Sequence, residues 1–214
     1  MILLTCTKMP VGLDKNTLAY TVGLLFPHPD NREYIETIRS RANPQSACES
    51  LFALALLYEQ ICELPCPPVN MSALIFARNE FGKPYFKDSD LRFNVSHSNG
   101  LVACALSQGE ELGLDLEASE IPPARAKKLA ARYFNEAEQQ SVANHPEIFA
   151  RLWSEKEAKA KFFGTSIGNI LSDDKITGSH PRCPAVYFHR FSYQNIPITL
   201  CTISAYSTIS FTFQ

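Results

Sequence analysis

The segment 112–117, Leu-Gly-Leu-Asp-Leu-Glu, alternates apolar and acidic residues. Side chains along a β-strand point alternately to opposite faces, so a strand here turns Leu114 and Leu116 towards a core. Asp115 and Glu117 then share the opposite face, about 7 Å apart. The alternation predicts either a strand with one face in water or a buried strand that presents two carboxylates to a hard cation.

A second acidic segment begins at Trp153 with the letters WSEKEAKAK. In a helix, Trp153, Glu157 and Lys161 follow one another at intervals of four residues and therefore share one face. A Glu–Lys pair at this spacing is also a common surface ion pair of small energy. Joined to Asp115 and Glu117, however, Glu157 completes a set of three carboxylates. Such a set suits Mg²⁺, and Lys161 would then neutralise a phosphate oxygen.

Two short polar motifs precede these segments. The first, Ser96-His97-Ser98, is open to three interpretations: a hydrogen-bonding turn, a phosphate-binding site, or a hydrolase nucleophile activated by His97. The nucleophile is the weakest of the three, because sequence neighbours seldom point at each other and no G-x-S-x-G elbow surrounds them. The second motif, Gly82-Lys83-Pro84, has the composition of a turn.

Composition bounds the class of protein. The chain has 214 residues, 45% hydrophobic and 20% charged, which is enough for one large domain or two small ones. Its formal net charge is −2 and it has no long basic run, so we expect neither nucleic acid nor a membrane surface as a partner. The apolar start is too short for a signal peptide, and seven cysteines form no C-x-x-C pair. We therefore expect a cytoplasmic protein with reduced thiols.

Periodicity predicts strands and helices in both halves of the chain. In the first half we expect two strands, at 1–6 and 18–26, followed by helices at 31–41 and 47–64. The segments 101–106 and 112–117 are expected to pair as a hairpin. Helices at 124–134, from 136 and at 146–163 are then followed by strands at 185–191, 198–204 and 209–213. The order predicts an α+β fold of two similar halves, 1–100 and 101–214.

Four segments together resemble a known family. In order they are Gly82-Lys83-Pro84, Phe93 to Ser98, Gly113 to Glu117, and Trp153 to Glu157 with Lys161. Their conjunction, over about residues 78–164, resembles the Sfp-type 4′-phosphopantetheinyl transferases. The resemblance implies a pseudodimer of two α/β halves. It also implies Mg²⁺-dependent transfer of the phosphopantetheine arm of coenzyme A to a serine of an apo carrier protein, with release of adenosine 3′,5′-bisphosphate.

The resemblance implies roles for particular residues. Asp115, Glu117 and Glu157 would hold Mg²⁺ on the pyrophosphate of coenzyme A. Contacts with coenzyme A would come from Lys83, Ser96, His97, Ser50 and Lys161, with His97 and Ser50 at the 3′-phosphate. The general base would be Glu157 or, second, Glu138. On this basis residues 1–100 supply coenzyme A contacts, and residues 101–214 supply the metal site and the docking of the carrier protein. One chain with both halves predicts a monomer.

Two departures from the family pattern remove positive charge. Glu49 stands where many members have a basic residue, and Gly164-Thr165-Ser166 replaces the common Gly-Lys-Gly. Both changes predict weaker attraction for coenzyme A. They leave open a family member that binds coenzyme A without transferring its arm and serves as a scaffold or regulator. The other alternative is an unrelated hydrolase that uses His97 with a serine or with Cys104.

One helix carries a readable clue to a partner. Arg125, Lys128 and Arg132 follow at i, i+3 and i+7 and form a basic face. Because carrier proteins are typically acidic, this face is expected to steer docking. A solvated helix face is the equally ordinary alternative.

Overall fold

The computed structural model describes residues 1–67, 70–118, 121–170, 185–205 and 207–213. Within these ranges the fold is mixed α+β, as predicted. The helices are α1 (Lys15–Leu25), α2 (Asn31–Arg39), α3 (Pro44–Cys62), α4 (Pro123–Tyr133), α5 (Glu136–Asn144) and α6 (Phe149–Phe163). The strands are β1 (Ile2–Lys8), β2 (Phe76–Arg78), β3 (Pro84–Phe86), β4 (Leu91–Ser98), β5 (Leu101–Gln108), β6 (Leu112–Leu116), β7 (Tyr187–Tyr193), β8 (Ile196–Thr202) and β9 (Ile209–Phe213).

Of the three sheets in the described residues, two lie between helices, and the third is the antiparallel pair β2–β3. The first has the order β4-β5-β1-β9, antiparallel except for the parallel pair β1–β9, and the second is the antiparallel sheet β6-β8-β7. Strand alternation gives β1 two buried faces: Ile2 and Leu4 join the core shared by the two sheets, whereas Leu3 joins the core under α1–α3. Helix α6 covers the outer face of β6 and β8. The layers therefore run helix, sheet, sheet, helix.

Helix α3 is the main helix of the first half, as its apolar stripe predicts. Asn43 caps its start by accepting a hydrogen bond from the backbone N–H of Ser46, and Pro44 occupies the first turn, where a missing N–H is harmless. Leu51, Leu54 and Ile61 are buried against the first sheet, as expected for residues on the inward helix face. This packing holds the N-terminal end of α3 beside β4.

The edges of the two sheets meet along β4 and β6. Asn94 accepts a hydrogen bond from the backbone N–H of Leu114 at 2.8 Å, and Ser96 accepts one from Leu116 at 3.2 Å. Alternate side chains of β4 thus satisfy backbone groups of β6 that the second sheet leaves unpaired. A polar seam therefore runs between the sheets.

Strand β6 also lies very close to α6. A Cβ built at Gly113 would stand 2.1 Å from the carbonyl oxygen of Ala158 and 2.3 Å from the backbone nitrogen of Phe162. Only glycine allows this approach, which brings the acidic face of β6 against α6.

Two predictions about the elements are wrong. The segment predicted as a strand at 18–26 is the helix α1, which Asp14 caps by accepting from the N–H groups of Asn16 and Thr17. The predicted hairpin of 101–106 with 112–117 does not form, because β5 pairs with β4 and β1, whereas β6 pairs with β8. The hairpin is instead β4–β5, closed by Asn99 and Gly100 with positive φ angles of 51° and 82°. Asn-Gly is the dipeptide that favours such a turn.

The cysteines agree with the expected reduced thiols where they are described. The free thiols are Cys6, Cys48, Cys62, Cys66, Cys104 and Cys201, and Cys183 lies outside the described residues. Among the helices of the described ranges, none combines the length and apolar character that crossing a bilayer requires.

The contact at Gly113 predicts a large cost for a single methyl group. Gly113→Ala should lower the free energy of unfolding by about 3 kcal/mol, because backbone atoms of α6 cannot move aside without disrupting the helix. Urea denaturation monitored by circular dichroism measures the change. Gly23→Ala in α1 is the matched control: nothing lies within 4 Å of its Cβ position, and it should gain about 0.5–1 kcal/mol. Equal stabilities for the two variants would contradict the close approach.

Candidate active site

A cleft of about 430 Å³ opens where β4 and β6 meet, between α3 and α6. It brings together seven of the nine residues predicted for the site: Ser50, Ser96, His97, Asp115, Glu117, Glu157 and Lys161. Lys83 and Glu138 do not line it. The predicted helix face is also present, because Trp153 lines the cleft with Glu157 and Lys161.

One end of the cleft is a network around Asp115. Lys161 Nζ lies 2.7 Å from Oδ1 of Asp115 and donates to Ser96 Oγ at 3.1 Å. The Ser96 hydroxyl in turn donates to Asp115 at 3.0 Å. Asp115 is only 6% exposed, so the charge of this carboxylate is balanced chiefly by Lys161. The three side chains come from β4, β6 and α6 and join these elements.

The other carboxylates extend this end. Glu117 accepts a hydrogen bond from Ser98 at 3.3 Å, and Glu157 faces it from α6. Burial raises the pKa of Glu157, and the negative charges of Asp115 and Glu117 raise it further against the opposing effect of Lys161. Three neighbouring carboxylates are the oxygen donors that Mg²⁺ prefers, so the donor chemistry suits this cation. Within the described ranges, however, no three acidic, histidine or cysteine side chains are gathered closely enough to form a finished metal site.

The opposite end of the cleft is a cluster around His97. Nε2 of His97 lies 2.8 Å from Ser50 Oγ, and a guanidinium nitrogen of Arg41 donates to the same oxygen at 2.6 Å. On the far side of the ring, Nδ1 lies 2.8 Å from the carboxylate of Glu49. His97 and Ser96 are sequence neighbours on β4, so they face opposite sides of the strand and serve opposite ends of the cleft.

The structure adds basic residues that the sequence did not single out. Arg41 and Arg78 both line the cleft, and Arg78 stacks on the ring of Tyr34 at 4.7 Å. Burial lowers the pKa of Arg41, and the charge of Arg78 lowers it further, as expected for two cations that face one space. Arg41 precedes the start of α3 and Arg78 precedes a turn. Neither belongs to a periodic pattern that would have predicted a place in the site.

Lys83 supports the fold behind the cleft. Its ammonium forms an ion pair with Glu111 at 2.5 Å and donates to the carbonyl oxygens of Leu112 at 3.0 Å and Phe162 at 3.3 Å. Burial lowers its pKa, and Glu111 opposes that effect. The ammonium caps the C-terminal end of α6, where free carbonyls attract cations. In this arrangement it does not reach the cleft.

Glu138 is also engaged elsewhere. Its carboxylate accepts from the backbone N–H of Asn135 at 2.9 Å, and the Asn135 side chain accepts from the N–H of Glu138. These reciprocal bonds form the capping box that starts α5. The other carboxylate oxygen pairs with Lys156 at 3.0 Å.

Cys104, the thiol of the hydrolase alternative, is fully buried in β5 and burial raises its pKa, so it offers no exposed thiolate.

A second, larger groove of about 1020 Å³ adjoins the acidic end. Glu117 lines both spaces, and the groove is otherwise formed mainly by apolar side chains of α4, α5 and the start of α6. Arg125, Lys128 and Arg132 are exposed on α4, beside the groove residues of the same helix. The predicted basic face is therefore accessible from solvent.

Comparison with known proteins identifies similar sequences. The profile of the 4′-phosphopantetheinyl transferase superfamily matches residues 111–202. Three similar proteins are 4′-phosphopantetheinyl transferases: gsp of Aneurinibacillus migulanus is 31% identical over 77% of this chain and 66% of its own length, and HetI of Nostoc is 36% identical over 42% and 41%. AcpT of Escherichia coli K12 is 34% identical over 58% of this chain and 63% of its own length. The chain thus spans less than two thirds of the lengths of these relatives. It belongs to the 4′-phosphopantetheinyl transferase superfamily.

The position of Lys83 predicts that its loss affects stability more than ligand binding. Lys83→Met should lower the free energy of unfolding by about 1–3 kcal/mol, because two carbonyl oxygens and Glu111 lose their donor. Urea denaturation measures the change, and Lys87→Met, at an exposed position, is the control. A variant of normal stability that has lost affinity for coenzyme A would instead assign Lys83 to the ligand.

Proposed function

We propose that the chain is an Sfp-type enzyme that transfers the 4′-phosphopantetheine arm of coenzyme A to a serine hydroxyl of an apo carrier protein and releases adenosine 3′,5′-bisphosphate. One observation carries the proposal: a single cleft has an acidic end with Lys161 and a separate basic end with Arg41 and His97. Coenzyme A carries two separate anionic groups, a pyrophosphate and a 3′-phosphate, and therefore suits a cleft with two such ends. Ser50 and His97 are assigned to the 3′-phosphate.

We assign Mg²⁺ to Asp115, Glu117 and Glu157. When bound there, the cation would neutralise charge on the pyrophosphate and on the departing phosphate. Burial raises the pKa of Glu157 most, and the charges of Asp115 and Glu117 raise it further. This repulsion supports the assignment, because a shared cation stabilises neighbouring carboxylates. Lys161 already contacts Asp115 and Ser96. We propose that its ammonium group binds a phosphate oxygen when coenzyme A enters the cleft.

Glu157 is our candidate for the general base. As the carrier serine attacks phosphorus, its hydroxyl proton passes to a carboxylate, and the phosphate of adenosine 3′,5′-bisphosphate leaves. Glu157 lines the cleft beside the assigned cation and would take the proton directly or through a water molecule. Glu138 is held in its capping box and its ion pair with Lys156, so we place it second.

Two arginines of the cleft supply positive charge that this chain lacks at two positions of the family pattern. Glu49 and Thr165 replace basic residues of the family pattern, whereas Arg41 and Arg78 face the cleft. We propose that the two arginines attract the phosphates of coenzyme A in their place. One guanidinium group can donate two parallel hydrogen bonds to a phosphate, which suits this role.

We also propose that the fold arose from two similar halves. In the first half β1 pairs with the second strand of the hairpin β4–β5, and in the second β6 pairs with the second strand of the hairpin β7–β8. Each half inserts helices, ending with α3 or α6, between its first strand and its hairpin. A boundary after β5 suits this pairing better than the one expected near residue 100. With both ends of the cleft on one chain, we propose a monomer acting in the cytoplasm.

One geometric feature favours a second candidate function. Ser50, His97 and Glu49 are linked in the order hydroxyl, imidazole and carboxylate, each contact at 2.8 Å, as in a hydrolase triad. Two features oppose a hydrolase: Ser50 lies within helix α3 without a nucleophile elbow, and Arg41 donates to its oxygen. The cluster is better suited to hold an anion than to attack an ester.

The proposed reaction is tested by mixing the chain with coenzyme A, Mg²⁺ and a panel of apo carrier proteins. Intact mass spectrometry should detect addition of the phosphopantetheine arm. Addition should disappear with a chelator and with Asp115→Ala, and should fall at least about a hundredfold in Glu157→Gln, because the base is lost. Glu155→Gln, a neighbouring acid on α6 that pairs with Arg190, is the matched control and should remain active.

Other outcomes separate the alternatives. Saturable binding of coenzyme A without addition to any carrier would favour the scaffold or regulator. Hydrolysis of esters that survives chelation and is abolished by Ser50→Ala would favour the hydrolase. Near-normal turnover of Glu157→Gln at saturating Mg²⁺ would remove Glu157 as the base.

The exposed basic face of α4 leads to a prediction about the carrier. Changing Arg125, Lys128 and Arg132 together to Glu should slow association with an acidic carrier about tenfold or more at low salt and flatten its salt dependence. Stopped-flow measurement of the association rate at several ionic strengths provides the test.

The control for that experiment carries the same change in net charge. Lys8, Arg32 and Lys87 are exposed and lie outside α4, and their combined change to Glu should have a much smaller effect. If both triple variants slow association equally, only the net charge matters and α4 is not the docking face.

A further inference from the structure

Glu49 contacts the basic end of the cleft from behind. Its Oε2 lies 2.8 Å from Nδ1 of His97, on the opposite side of the ring from Ser50. A carboxylate that accepts from one ring nitrogen fixes the tautomer of a histidine and the direction of the other nitrogen. Nε2 is thereby directed into the cleft.

Glu49 is itself held in place from two sides. It is only 4% exposed, and its Oε1 accepts from the backbone N–H of Gly100 at 2.6 Å and from the amide of Gln45 at 3.0 Å. Both carboxylate oxygens are therefore engaged. The residue connects α3 to the β4–β5 turn and holds the imidazole in one orientation.

We propose that Glu49 is a positioning residue for His97: it keeps Nδ1 protonated, directs Nε2 at the anion site beside Ser50, and favours uptake of a second proton by the ring when a phosphate binds. This inference rests on the proposed function, in which that phosphate is the 3′-phosphate of coenzyme A. Glu49 then assists recognition of the phosphate, contrary to the expectation that its charge only weakens attraction.

Charged groups face His97 from several elements. Glu49 approaches from α3, Arg41 from the turn before α3, and Lys161 from α6, while Asp115 and Glu117 of the β6 segment lie across the cleft. Burial lowers the pKa of His97 and Glu49 raises it, whereas Lys161 and Arg41 lower it further. The net shift is downward, so the free ring is mainly neutral at pH 7 and accepts from Ser50. A bound phosphate dianion reverses this balance, so affinity should fall as pH rises.

The test compares coenzyme A with 3′-dephospho-coenzyme A by calorimetry across pH 5.5–8.5 at constant Mg²⁺. Wild-type affinity for coenzyme A should fall with rising pH. Glu49→Gln should lower the midpoint of this pH dependence by about one pH unit, because the charge that favours the imidazolium is gone. The phosphate titrates near pH 6 in every sample, so the difference between proteins reports on the ring. Glu59→Gln, an exposed charge change on α3, should leave the midpoint unchanged.

The outcomes distinguish a failure of the role of Glu49 from a failure of the proposed 3′-phosphate site. A folded Glu49→Gln with the wild-type midpoint overturns the role of Glu49, even if coenzyme A still binds more tightly than its dephospho form. Equal affinity of the wild type for the two ligands, or binding of neither, overturns the assignment of the 3′-phosphate and the inference with it. Should Glu49→Gln fail to fold, Glu49→Asp repeats the test, because its shorter side chain withdraws the carboxylate from Nδ1. An unchanged midpoint there has the same meaning.

Discussion

The hydrogen bonds between β4 side chains and the backbone edge of β6 are the interaction on which the rest of the structure depends. An edge strand that is covered by protein must have its N–H groups satisfied, and Asn94 and Ser96 do this without a continuous ladder between the sheets. The two sheets therefore stay separate along this seam and leave a cleft instead of merging. The same Ser96 hydroxyl binds Asp115 and Lys161, so the seam and the acidic end of the cleft are one network.

Alternation along β4 explains why the cleft has two chemically different ends. Even-numbered residues such as Ser96 face β6 and the carboxylates, whereas His97 faces α3 and its hydroxyl and basic partners. One strand thus separates the proposed cation site from the proposed anion site by a single residue step. At the acidic end Lys161 and Ser96 both bind Asp115, and the raised pKa of Glu157 reflects first its burial and then the negative charges of Asp115 and Glu117.

The sequence predicted the parts of the site that depend on local periodicity. Asp115 and Glu117 share a strand face, and Glu157 and Lys161 share a helix face, because the repeats of strands and helices fix these relations. Lys83 and Glu138 lie outside the cleft for a different reason: Lys83 pairs with Glu111 and Glu138 caps α5, and only the packed chain brings Lys83 to Glu111. Arg41 and Arg78 carried no pattern at all. The Asn-Gly dipeptide at 99–100 is a sequence signal for the β4–β5 hairpin. The prediction missed it because it paired the apolar segments 101–106 and 112–117 instead.

Glu49 shows why the charge of a residue does not by itself give its effect on a ligand. Read along the chain, an acid in place of a base lowers the attraction for a phosphate. In the folded protein the carboxylate lies behind the imidazole, so the ring stands between the negative charge and the space in front of Nε2. The acid then acts through the proton it stabilises, and the cation that meets the phosphate is the ring. A lysine or arginine that met the phosphate directly would keep its charge throughout the neutral pH range, whereas the Glu49–His97 pair makes binding depend on the uptake of a proton.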